Sequence, residues 1–178
     1  MNEDTATETC YGERYAGRYL TFTLDAEVYG IPISVVQRII HLQPITPVPM
    51  VPPAVLGVVN HQGRVLPIVD MKKCFEMGDF DHHEENCIVV LQVPREGRAD
   101  RTLGILVERM HEVLPIEAGT IQPPPESIDS IERDYVLGLA NLPDGIRILL
   151  DMQSFVLNQQ FNSLAIGEGE DSHANLGR

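Results

Sequence analysis

Asp70 and Asp151 are the two residues best placed to act as a pair of acid–base carboxylates. Each ends an apolar strand at the same position of a duplicated stretch. The first copy is Val55-Leu56-Gly57-Val58-Val59-Asn60-His61-Gln62-Gly63-Arg64-Val65-Leu66-Pro67-Ile68-Val69-Asp70-Met71. The second, Val136 to Met152, aligns with it without a gap 81 residues later, and Val, Leu, Gly, Asn, Asp and Met recur at the same six positions. Identical places in two repeats predict identical structural jobs. Asp70 and Asp151 are therefore read as N-caps of short helices, their carboxylates accepting from orphan backbone amides. Leu150 and Phe155 stand at the two positions of a hydrophobic staple.

The densest run of metal-ligand atoms is Asp81-His82-His83-Glu84-Glu85-Asn86-Cys87. Adjacent loop residues rarely converge on one ion, so it is read as a solvated linker. Cys10, Cys74 and Cys87 are odd in number and lack CxxC spacing, which argues against a disulfide framework. His41, His61 and His111 are scattered, with no nucleophile beside them in sequence. GxSxG, HExxH, P-loop and GxGxxG patterns are all missing. The expectation is no catalytic site, no cofactor, no metal and no enzyme.

Composition narrows the partners. Thirteen Lys and Arg against 26 Asp and Glu give a net charge of −13. A surface so charged repels nucleic acid, whose binding rests on clustered cations. No apolar run reaches the roughly 20 residues that cross a bilayer, and residues 1–17 lack the apolar centre of a signal peptide. A cytoplasmic protein with no direct membrane insertion is expected.

Stepping outward, residues 1–18 read as a flexible arm and order is expected from Tyr19. Leu20, Phe22 and Leu24 alternate with polar residues, the period of a half-buried strand. Val28–Ile33 returns as a strand, with Pro32 marking an edge. Ser34 and Gln37 match a capping box, predicting a short helix to about His41. Five prolines between Pro44 and Pro53 then forbid helix and impose an extended connection. Val65–Val69, wholly apolar, is expected to be buried on both faces. The second half opens with a strand at Cys87–Val93, a loop over Pro94–Asp100, a strand at Thr102–Val107 and a short one at Val113–Ile116. Two similar β modules laid end to end, about 19–78 and 87–157 with an acidic linker between, are the result. Small curled barrels remove the open edges of such sheets. Residues 158–178 read as a flexible tail.

Several segments together resemble the CheW family. They are Tyr19-Leu20-Thr21-Phe22-Thr23-Leu24, Tyr29-Gly30-Ile31-Pro32-Ile33, Val36-Gln37, Gly57-Val58-Val59-Asn60, Gly63, Val65 to Asp70, Ile121 to Glu126, and Tyr135 to Leu139. The resemblance runs from Tyr19 to Leu157 and implies one CheW-like domain. It is all-β, with two five-stranded SH3-like β-barrels packed around a shared core and a few short helices. It implies a non-enzymatic chemotaxis adaptor. Such adaptors couple a CheA-type histidine kinase, through its regulatory domain, to the cytoplasmic tip of methyl-accepting chemoreceptors. One kinase-binding surface would comprise Val36, Arg38, Ile39 and Gly57, and a second Gln122, Glu126 and Ser127. Val58, Asn60 and Gln62 would form a receptor- or kinase-facing turn, with the receptor in a groove between the barrels. Arg38, Gln62 and Ser127 depart from residues common in the family, which predicts a dedicated kinase facing Arg38 with an acidic or neutral residue. The alternatives are a module of a non-flagellar chemosensory-like pathway, or a peptide or small-ligand sensor using the inter-barrel groove.

Overall fold

The computed structural model describes residues 10–127 and 133–158. Eleven strands form two sheets: β1 (Gly17–Leu24), β2 (Glu27–Pro32), β3 (Val36–His41), β4 (Val55–His61), β5 (Arg64–Asp70), β6 (Cys87–Arg95), β7 (Arg98–Val107), β8 (Arg109–Ile116), β9 (Ile121–Gln122), β10 (Val136–Leu142) and β11 (Gly145–Leu150). One sheet runs β8-β1-β2-β11-β10-β9 and the other β3-β6-β7-β5-β4. Short helices at Met71–Cys74 and Met152–Asn158 follow β5 and β11. The chain folds as two SH3-like barrels.

The duplication is real, but its halves are not laid end to end. The hairpin β1–β2 sits among strands β8 to β11, while β3 to β5 join β6 and β7. Each half therefore donates its first hairpin to the other half's sheet. The exchange is sealed by two parallel pairings of the same kind, Leu149 opposite Gly30 and Ile68 opposite Gly104. Alternation in a sequence reports only that a strand has two faces; it does not say which sheet receives it.

That exchange explains the burial. Leu20, Phe22 and Leu24 of β1 pack with Val89, Leu91 and Val93 of β6 and Leu103, Ile105 and Val107 of β7 in one core shared by both sheets. Each barrel has a smaller core of its own, around Val59, Ile68 and Ile88 in one and Tyr19, Ile121 and Leu149 in the other. Strand β1 is consequently buried on both faces rather than half-buried, Thr21 included. The Thr21 hydroxyl donates to the Glu112 carbonyl at 2.8 Å, where β8 bulges. Val65, by contrast, is 51% exposed, and β5 is buried only from Leu66 onward.

Four local expectations change. Ile33–Val35 forms a single 3₁₀ turn without a side-chain cap, and Val36–His41 is a strand instead of a helix. Pairing with β6 outweighs the capping box, as expected for Val- and Ile-rich residues. Pro32 ends β2, an interior strand between β1 and β11, so it marks a strand end and not a sheet edge. Pro94 lies within β6 at a register shift between Val93 and Arg95; the bulge accommodates its missing donor, and the turn proper is Glu96-Gly97. Residues 10–18 are not a loose arm: 10–15 are helical, Tyr11 OH donates to the Leu137 carbonyl, and β1 begins at Gly17. The expected arm over 1–9 and the tail beyond Asn158 lie outside the described residues.

Both aspartates have capping geometry. Asp70 Oδ1 accepts from the amides of Lys72 at 2.9 Å and Lys73 at 3.3 Å. Asp151 Oδ1 accepts from Gln153 and Ser154 at 3.0 and 3.1 Å. The match extends backwards, since Asp70 N–H donates to Ala54 O and Asp151 N–H to Tyr135 O, each at 2.8 Å.

Candidate partner-binding surfaces

Strands β3 and β4 end opposite edges of the five-stranded sheet, yet the curl of the sheet brings them together. Thr46, in the proline-rich connection, makes an isolated bridge to Val58 of β4, with hydrogen bonds of 2.8 and 2.9 Å. Farther along the same seam, Arg38 Nη1 donates to His61 Nε2 at 3.3 Å. A guanidinium only donates, so His61 Nε2 is the acceptor of this contact. The other sheet closes likewise, through β9 pairing with β10.

The seam unites most of the first predicted surface. Arg38 is exposed on β3 and Ile39 is 40% exposed beside it. Asn60, near the end of β4, and Gln62, in the β4–β5 turn, are exposed. Gln62 and Gly63 have φ of 52° and 77°, as a two-residue hairpin turn needs, and Asn60 Oδ1 accepts the Gly63 amide at 3.1 Å. Val36 and Val58 are half-buried; Val36 packs on the shared core.

Gly57 does not belong to the exposed part. It is buried, with φ 148°, and a Cβ there would lie 2.1 Å from the Thr46 carbonyl oxygen. Gly138 repeats the arrangement against Gln122, at 2.8 Å. These glycines let each closing segment cross its β strand. A substitution at Gly57 thus breaks the barrel seam before it can report on a partner.

Gln122, Glu126 and Ser127 are exposed on the other sheet, at β9 and the segment after it. The Glu126 carbonyl accepts from Arg133 Nη2. The two predicted surfaces therefore lie on different sheets, in related positions beside the two seams.

Sequence reasoning passed over a charged cluster around a buried lysine. Lys72, 2% exposed, reaches Glu108 at 2.9 Å and Asp25 at 3.3 Å. Asp25 N–H donates to the second Glu108 oxygen, and Asn86 Nδ2 to the Glu108 carbonyl. The hydrogen bond to Glu108 holds the Lys72 ammonium above its ordinary pKa against the opposing effect of burial. Its signal in the sequence is a lysine two residues after the cap Asp70. Cys74 is pushed up to about 12 by burial, and burial also raises Cys87, so neither thiol is an activated nucleophile. Among the described residues no group of three or more His, Cys, Asp or Glu could hold a metal, and no helix is long and apolar enough to cross a membrane.

Two interlocked SH3-like barrels with solvent-facing seams define a β interaction domain. The CheW-like domain family matches residues 18–160, and the chain belongs to that family. It is 30% identical over 149 residues to a chemotaxis protein CheW of Klebsiella aerogenes, covering 84% of this chain and 87% of that one. A CheW of Treponema pallidum is 29% identical, with coverage of 82% and 85%. The crystal structure of the scaffolding protein TtCheW from Thermoanaerobacter tengcongensis superimposes with a TM-score of 0.69 at 28% identity, over 82% of this chain and 96% of that one.

Proposed function

We propose that this chain is a chemotaxis adaptor, a non-enzymatic scaffold that couples methyl-accepting chemoreceptors to the regulatory domain of a CheA-type histidine kinase in the cytoplasm. Membership of the CheW family carries this reading. The β3 seam, with Arg38, Ile39, Asn60 and Gln62 facing solvent, is one kinase contact; Gln122, Glu126 and Ser127 belong to the second. Specificity at the first rests on Arg38, a cation that His61 orients without neutralising. An acidic or neutral residue of the kinase faces it.

Pull-down of the cognate kinase regulatory domain and receptor tip tests the proposal. Ile39→Asp is the interface probe, because the Ile39 side chain already meets solvent. Full retention of kinase binding by a folded Ile39→Asp chain removes the β3 seam from the account.

A further inference from the structure

The internal duplication is a ruler for what one half has and the other lacks. Equivalent positions are 81 residues apart after the caps (Asp70 and Asp151), 74 apart near the parallel pairings (Gly30 and Gly104), and 69 apart on the strands opposite them (Thr21 and Val90). On this ruler Tyr11 matches Phe80 and Leu137 matches Leu56. Tyr11 indeed packs in one barrel core with Leu137, as Phe80 does in the other with Leu56.

The charged cluster around Lys72 is where the halves differ. Lys72 corresponds to Gln153, Glu108 to Ser34, Asp25 to Pro94 and Asn86 to Gly17. Every charge of the cluster is gone from the equivalent place on the other barrel. In its place are two cavities of about 350 and 320 Å³ that share Tyr15, Pro32, Ser34 and Leu137 in their walls. Gln153 and Pro94 line the first, and a Cβ on Gly17, in the wall of the second, would meet nothing within 4 Å. The far end of the groove carries Arg14 and Arg18, both exposed. Among the described residues neither is in an ion pair, in a chain whose net charge is −13.

We infer that the groove between Gln153 and Arg18 is a binding site for an acidic peptide segment of a partner protein, with an apolar side chain seated where the charged cluster is missing. Leu137, Leu150 and Pro32 supply apolar walls, Ser34 and Gln153 supply neutral hydrogen-bonding groups, and the Asp151 carboxylate in the same wall is engaged by the Gln153 and Ser154 amides and the Ser154 hydroxyl of its cap. Arg14 and Arg18 face the carboxylates and exclude basic segments by repulsion. The site shares no residue with the kinase surfaces proposed above, so it stands or falls separately.

The test uses the full chain and a fluorescein-labelled hexapeptide of alternating Glu and Leu, beside a counterpart with Lys for Glu, followed by fluorescence anisotropy. The acidic probe saturates and the basic one does not. Arg14→Glu with Arg18→Glu weakens the acidic probe by about tenfold or more. Ser34→Glu with Gln153→Lys, which rebuilds the pair formed by Glu108 and Lys72, does the same while keeping a cooperative melt. Arg38→Glu leaves probe binding unchanged. Failure of the wild type to saturate by about 1 mM, equal binding of the basic probe, or undiminished binding by the folded refilled variant overturns the inference.

Discussion

Arg38 and His61 lie 23 residues apart on strands at opposite ends of the sheet order, yet Arg38 Nη1 comes within 3.3 Å of His61 Nε2. Barrel closure makes this contact, and it fixes where a cation stands on the exposed seam. The pair is not a salt bridge, so the charge of Arg38 remains available to a partner. Arg38→Glu should cost kinase affinity by about 2–5 kcal/mol, the range for a reversed charge at a close contact. Titration calorimetry against the regulatory domain measures it.

Gly57 tests the seam itself. Gly57→Ala should destabilise the chain by at least about 2 kcal/mol, because positive φ and a carbonyl in the path of the new Cβ act together. Gly63→Ala, also at positive φ but with open space around it, should cost about 1 kcal/mol. Urea unfolding of the two variants separates them; equal losses would mean that the Thr46 carbonyl yields easily.

Lys72 gives a pH signature. Its folded pKa lies above the ordinary 10.5, so its contribution is complete below that value and disappears as pH rises through the folded pKa. Tyr19 acts in the same direction: burial pushes its phenol from 10.0 up to about 12, and stability is lost across that window. Melting temperature should therefore fall steeply above about pH 10. Lys72→Met should cost about 1–3 kcal/mol at neutral pH and flatten the alkaline fall. A variant as pH-sensitive as the wild type would exclude Lys72 from that response.

Gln62 carries a side chain at a φ of 52° that glycine adopts more readily. Gln62→Gly should stabilise the hairpin by about 0.5–1 kcal/mol, because relief of the left-handed strain exceeds the chain entropy that glycine adds. Thermal denaturation reads the sign directly.

Much of the fold could be read from the chain because its cues are local. Asp70 and Asp151 announce caps, the glycines and turns bound the strands, and apolar runs mark the core. Strand exchange could not be read, since hairpin β1–β2 carries the same alternation whichever sheet receives it. Ser34 and Gln37 suit a helix cap, but pairing with β6, a distant segment, makes Val36–His41 a strand. The site divides similarly. Arg38 and Gln62 stand out by their departure from residues common in the family, whereas the reach of His61 to Arg38 and of Lys72 to Glu108 depends on closure. The family resemblance puts Gly57 on a kinase surface, and only backbone geometry shows that it is buried.

The most direct measurement is the affinity of the cognate kinase regulatory domain for the wild-type chain and for Arg38→Glu, matched for melting temperature. Saturable binding by the wild type, weakened at least about tenfold in the variant, is the predicted result. Tighter binding by Arg38→Glu, or no binding by either, would contradict the proposed adaptor surface.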